Sequence, residues 1–291
     1  MRRIAAIAFA LLALLAGPAR AEAPSSPALW RMETGGEPVY LFGSFHLLPP
    51  GTKWRSAAVD DAFAKAEIAV FEIPTDAAAE AEIQALVIAR GLNAAGTPLS
   101  KTIAPEAWTE VAEFAQTLGL PPEALEPMRP WYAALVLTVQ HMISLGFDPS
   151  QGVDATLAPE ARAAGKTLAF LETPEEQITI FSGLAPALQE QLLVESVREL
   201  KAAGNSADEM ANAWLAGDTE RLATLVNGSM DRFPELQDRL MFARNRAWVG
   251  KIEAMADGRH GVMVVVGAGH LVGPESVVAL LRARGHAISG P

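Results

Sequence analysis

Two apolar runs, Ala28 to Met32 and Pro38 to Phe42, flank the polar turn Thr34-Gly35-Gly36-Glu37. That pattern predicts a β-hairpin. Pro49-Pro50-Gly51 then makes a loop. Between Ser56 and Ala66 the apolar positions Val59, Phe63 and Ala66 recur at helical spacing, which predicts an amphipathic helix. Ile68 to Ile73 is a short apolar run closed by Pro74 and reads as a buried strand. The first zone, 28–74, is therefore strand, strand, helix, strand.

From about Thr75 to Ala256 the pattern turns helical. Ala-, Leu- and Glu-rich stretches lie at 77–90, 105–118, 131–145, 155–164, 174–181, 185–203, 206–216, 218–227 and 233–256. Stop and start signals separate them, among them Gly91, Gly119-Leu120-Pro121-Pro122 and Gly217-Asp218-Thr219. Thr173-Pro174-Glu175-Glu176 places a cap residue, proline at the first helical position and glutamate three residues after the cap. One strand, Thr167 to Leu171, interrupts the zone. The last zone returns to strand. Val262 to Val266 is continuously apolar, as expected of a strand buried on both faces. A helix from about Pro274 to Arg284 and an edge strand near Gly285 to Ile288 complete the chain. The expected fold class is α/β (α+β): a central mixed β-sheet with a large helical insertion between two similar strand units.

Composition narrows the chemistry. The 291 residues include no cysteine and five histidines, with 34 acidic residues against 23 basic ones. Without cysteine, disulfide scaffolds, thiol nucleophiles, zinc ribbons and iron–sulfur centres are excluded. A net charge of −11 argues against nucleic-acid partners, which need a basic face. Metal binding or acid–base chemistry must therefore use histidines and carboxylates.

The N-terminus carries Arg2-Arg3, an apolar run from Ile4 to Ala16, and Ala19-Arg20-Ala21. This is the layout of a secretory signal peptide over 1–21, too short in its apolar part to span a bilayer. Residues 22–27 read as a flexible lead-in and 28–291 as one domain. Cleavage after Ala21 would remove three arginines and no acids, so that the charge of −11 becomes −14. The expected setting is the periplasm, with no stable membrane anchor.

Two strand ends share one pattern. Val39-Tyr40-Leu41-Phe42-Gly43-Ser44-Phe45-His46 and Val264-Val265-Val266-Gly267-Ala268-Gly269-His270 both run from strand into Gly-x-x-His. Glycine permits close backbone approach where the chain leaves a sheet. The carboxyl edge of an open α/β sheet is where ligands bind. Glu72, at the end of an apolar strand, either points outward from an edge or faces the two histidines. Two histidines and a carboxylate leave coordination positions open, the plan of catalytic zinc and several other transition-metal sites. His141 reads as a core or groove residue, and His260 and His286 as solvated.

These stretches, with Phe71-Glu72, Gly152-Val153-Asp154, Ala163 to Lys166, Leu171 to Gln177 and Arg244 to Ile252, resemble the TraB/PrgY/GumN family, which includes the Tiki proteases. The resemblance spans Trp30 to Ile288. It implies a fold similar to that of erythromycin-esterase and ChaN-like proteins, and a metal-dependent hydrolase or metalloprotease site built on His46, Glu72 and His270. Gly43, Gly267, Asp154, Glu172, Arg244 and Asn245 are supporting candidates. Arg244 and Asn245 are neighbours on one helix, so they are expected not to face the same point. Asp154 and Glu172 are candidates for helix capping or for a second site carboxylate.

Three readings follow. The first is a peptidase-like hydrolase using a divalent metal (Zn, Mn or Co) held by His46, Glu72 and His270. The second is metal-free hydrolysis, with one histidine as general base oriented by Glu72. The third is a binder of a small ligand, peptide or haem without turnover. The partner in the first two is a peptide or small-molecule substrate.

Overall fold

A computed structural model describes residues 25–202 and 206–291. The leader expected over 1–21 and the first part of the lead-in lie outside the described residues. Six strands form one sheet: β1 (Leu29–Met32), β2 (Val39–Ser44), β3 (Ile68–Phe71), β4 (Thr167–Phe170), β5 (Val262–Gly267) and β6 (Ile288–Ser289). Their spatial order is β4-β3-β5-β2-β1-β6. The four strands from β4 to β2 are parallel, and β1 and β6 pair antiparallel.

The apolar patterning accounts for this order. β5, the valine-rich run, sits at the centre with β3 on one side and β2 on the other. Val262 to Val266 are fully buried. Removing each valine side chain from water stabilises the fold by about 1.5 kcal/mol or more. β1 and β2 form the hairpin expected around Gly35-Gly36, with Trp30 opposite Leu41.

The helices are α1 (Ala57–Lys65), α2 (Ala77–Gly91), α3 (Pro105–Thr117), α4 (Pro130–Ser144), α5 (Val153–Ala163), α6 (Pro174–Ser182), α7 (Pro186–Ala202), α8 (Ser206–Leu215), α9 (Thr219–Met230), α10 (Pro234–Gln237), α11 (Ala243–Met255) and α12 (Val277–Ala283). Side chains of α1, α5, α11 and α12 join the sheet core. A second core forms between α3, α4 and α7 around Val111, Phe114, Leu137, Leu193 and Val197, so the helical insertion has apolar packing of its own. The capping box at α6 is as the sequence predicts: Thr173 accepts from the Glu176 amide, and Glu176 accepts from the Thr173 amide. No helix of the described residues is long and apolar enough to cross a membrane.

The helix expected over 233–256 is not uniform. A π-helical turn at Asp238–Phe242 joins α10 to α11, and the Ala243 amide donates to the Asp238 carbonyl five residues back. A π turn inserts a residue into the helical register and often marks a functional site. Here it immediately precedes Arg244.

Candidate active site

The parallel strands deliver four side chains in a row along their carboxyl edge. Glu172 follows β4, Glu72 follows β3, His270 follows β5 and His46 follows β2. Glu72, Glu172 and His270 are buried, at 6%, 9% and 4% exposure. His46 is different: its side chain is 58% exposed. The sharper reading of Glu72, that it faces two histidines, is the one realised. A Cβ placed on Gly267 would lie 3.3 Å from Glu72 Oε1, 3.5 Å from His270 Cδ2 and 3.8 Å from His46 Nε2. Glycine at 267 thus keeps open the point on which the three groups converge. Gly43 has another task. A Cβ there would meet the Ala268 backbone at 2.9 Å, so Gly43 lets β2 pack against the turn that carries His270.

Helix α5 brings the partner of His46. The Val153 amide donates to the Phe45 carbonyl at 2.9 Å, and a Cβ on Gly152 would clash with the His46 carbonyl at 2.2 Å. Gly152-Val153-Asp154 therefore docks backbone against backbone and sets Asp154 beside the imidazole. His46 Nδ1–H donates to Asp154 Oδ2 at 2.8 Å. Its Nε2 has no hydrogen-bond partner among the described residues. Desolvation opposes a charged His46, but the hydrogen bond and charge of Asp154, with the charge of Glu72, raise its pKa to about 9.

His270 is held in the opposite state. Asn245 Nδ2–H donates to the Glu275 carbonyl at 2.8 Å, which orients the amide. Asn245 Oδ1 then accepts from His270 Nδ1–H at 2.5 Å. His270 Nε2 is left as a lone pair and accepts from Arg244 Nη1 at 3.1 Å. Burial pushes the His270 pKa down to about 3 in spite of Glu72. The expectation that Arg244 and Asn245 cannot address one point is corrected here. An imidazole has polar atoms on two sides, and the ring is bonded by one helix neighbour at each.

Arg244 is saturated. Nε donates to Glu172 Oε1 at 2.8 Å, and Nη2 to Glu172 Oε2 at 2.9 Å and Glu72 Oε2 at 2.6 Å. Nη1 serves His270 and the Leu240 carbonyl in the π turn. All five guanidinium N–H groups have partners. Glu72 also accepts from the Gly267 amide at 2.7 Å. Burial opposes its charge, but His270, Arg244, His46 and that amide hold its pKa at about 2.

Two contributors were not singled out from sequence. Trp248 Nε1–H donates to Glu172 Oε1 at 3.0 Å, and its ring lies 4.4 Å from His270 and 4.7 Å from the Arg244 guanidinium carbon. Gln177 Nε2 lies 3.4 Å from Glu72 Oε2. Trp248 is four residues beyond Arg244, the spacing that puts two residues on one helix face. Gln177 lies one turn into α6, whose cap the sequence did mark.

The other histidines stand apart. His141 is half-buried, its ring against Phe114, and burial lowers its pKa. His260 is exposed as expected, beside Glu67. His286 is half-buried rather than solvated, hydrogen-bonded to Glu253 at 2.8 Å. A cleft of about 720 Å³ opens beside Glu172 and Arg244, with Thr179, Ile180, Arg239, Ala247 and Lys251 in its walls.

Among the described residues, no three histidine or carboxylate groups stand close enough together to share a metal ion. His46 presents a free Nε2, whereas Glu72 Oε2 and His270 Nε2 are both engaged by Arg244. The donor set of this arrangement does not fit a metal held by His46, Glu72 and His270.

No solved structure matches the chain. Among curated proteins, it is 27% identical over 207 residues to the uncharacterized protein YbaP of Escherichia coli (strain K12), covering 68% of this chain and 76% of that protein. The YbaP protein of Shigella flexneri matches to the same extent. The TraB/PrgY/gumN family model matches residues 28–289, and the chain belongs to that family.

Proposed function

We propose that the chain is a hydrolase of peptide or small ester bonds, with the His46–Asp154 pair as its acid–base group. The observation that carries this reading is the convergence of His46, Glu72 and His270 on the space before Gly267, with His46 alone open to solvent. Asp154 holds the Nδ1 proton and leaves Nε2 facing outward. Neutral His46 would take a proton from water as the water oxygen attacks the substrate carbonyl. The same proton would pass to the leaving amine or alkoxide as the bond to carbon breaks. Glu72, ionised and fixed by Gly267 and Arg244, stabilises the imidazolium formed between the two steps. Neutral His270 helps hold Arg244, and Arg244 in turn orients Glu72. The Arg2-Arg3 leader pattern supports an exported, periplasmic setting.

A metal-dependent hydrolase is the second reading, and one observation favours it. The cluster sets the carboxylates of Asp154, Glu72 and Glu172 against the single guanidinium of Arg244. With His46 neutral the cluster carries two uncompensated negative charges; a proton on His46 offsets one of them, whereas a divalent ion such as Zn, Mn or Co near His46 would offset both.

The test is turnover of a peptide library and of chromogenic esters by the full chain, with and without chelator. His46→Gln and Asp154→Asn are expected to lose at least about a hundredfold in kcat/KM. Wild-type kcat/KM is expected to rise with pH up to about 9, as His46 loses its proton. Full activity in His46→Gln would refute the proposal. Loss of activity in chelator, restored by metal, would transfer it to the second reading.

A further inference from the structure

Glu72 and Glu172 end adjacent strands and are both buried, so their charges would repel without a cation between them. Arg244 supplies it. Its guanidinium meets Glu72 Oε2, both oxygens of Glu172, the lone pair of His270 Nε2 and the Leu240 carbonyl. Having no N–H to spare, it has no donor left for a substrate. Two carboxylates and an imidazole lone pair are the donor chemistry that holds divalent first-row cations. The guanidinium is bonded to all three, and among the described residues no group of three such donors is placed to hold an ion.

We infer that Arg244 is the resident cation of this cage, and that Glu72, Glu172 and His270 become a divalent-cation site only when the guanidinium is removed. The set differs from His46, Glu72 and His270. Glu172 completes it, while His46 sits at the far end of the row and is tied to Asp154. The inference concerns binding and holds whether or not the chain hydrolyses a substrate.

Mn²⁺ is the probe, read by electron paramagnetic resonance and titration calorimetry on the full chain. Wild type and Arg244→Lys, which keep a resident cation, are expected to bind no Mn²⁺ at the site. Arg244→Met is expected to bind one ion, with a Kd at least about tenfold below the weakest binding that would be detected in wild type. The double variant Arg244→Met/Glu172→Gln should lose that ion. Removing the guanidinium leaves two buried carboxylates unpaired, so Arg244→Met is also followed by circular dichroism. If it is unfolded without metal, Mn²⁺ should refold it. Three results would overturn the inference: a folded Arg244→Met that binds no Mn²⁺, an unfolded one that Mn²⁺ does not rescue, or wild type binding one ion as tightly as the variant. If that wild-type ion is lost in His46→Gln, the metal-dependent reading gains what this inference loses.

Discussion

Asn245 is a sensitive test of how His270 is held. Its amide makes two buried hydrogen bonds, accepting from His270 Nδ1–H at 2.5 Å and donating to the Glu275 carbonyl at 2.8 Å. The residue is 1% exposed, so water does not replace it freely. Asn245→Ala leaves an imidazole N–H and a backbone carbonyl without partners. An unsatisfied buried group costs about 1–3 kcal/mol, so the variant is expected to lose about 2–6 kcal/mol. Asn245→Asp keeps the acceptor and adds a charge in contact with the ring. An opposite charge at that range moves a pKa by about 1–3 units, so His270 should rise from about 3 toward 4–6. Urea denaturation measures the first effect. Nitrogen-15 chemical shifts of the two ring nitrogens, followed with pH, measure the second and report the tautomer. The reasoning fails if wild-type His270 carries its proton on Nε2 at neutral pH, or if Asn245→Ala costs under about 1 kcal/mol.

Stability should pass through a maximum near pH 6.5. Below it, the unfolded chain protonates His270 at the ordinary value of 6.5, while burial delays this in the fold to about 3, so acid destabilises across that window. Glu72, lowered from 4.5 to about 2, adds to the loss below pH 4.5. Above the maximum, folded His46 keeps a proton to about 9 that the unfolded chain gives up at 6.5, so stability falls as pH rises. Urea midpoints across this range, with His46→Gln flattening the alkaline limb, check the profile; a wild-type midpoint that climbs from 7 to 9 contradicts it. Gly267→Ala places a methyl 3.3 Å from Glu72 Oε1 at a backbone that alanine can adopt. It should change stability by less than about 1 kcal/mol. The methyl asks Glu72 to give by a few tenths of an ångström, which should lower kcat/KM by about severalfold, short of the roughly hundredfold that a 1 Å misplacement costs. Unimpaired turnover would show that the convergence point is not where chemistry occurs.

The elements were legible because their signals are local. Thr173 and Asp218 cap the helices they were expected to cap, and the valine run became the central strand. The row of Glu72, His270 and His46 was legible for a similar reason: each follows an apolar strand, and the parallel edge aligns them. What stayed hidden depends on pairings distant in sequence. Asp154 is open to two readings in the sequence, a first-turn acid or a second site carboxylate, and only the contact of Gly152 with the His46 carbonyl, 106 residues earlier, sets it beside the imidazole. The π turn at Asp238–Phe242 has no composition that separates it from α-helix, yet its Leu240 carbonyl accepts from Arg244 Nη1. Local periodicity also misjudged Arg244 and Asn245, because it treats a target as a point and an imidazole has two polar sides.

The placement of β5 has a consequence for how the molecule is made. Its residues 262–267 follow β2 and β3 by some two hundred residues, yet they occupy the gap between those strands, which pair with β5 and not with each other. Until those residues are in place, the hairpin and the β3–β4 pair are separate pieces with open edges. Neither can recruit the other, and both present unpaired backbone to neighbouring chains. Assembly of the sheet must therefore wait for β5, and loops of some two hundred residues must close together, which slows folding. A chain truncated before Val262 should accumulate as aggregate rather than as a smaller soluble protein.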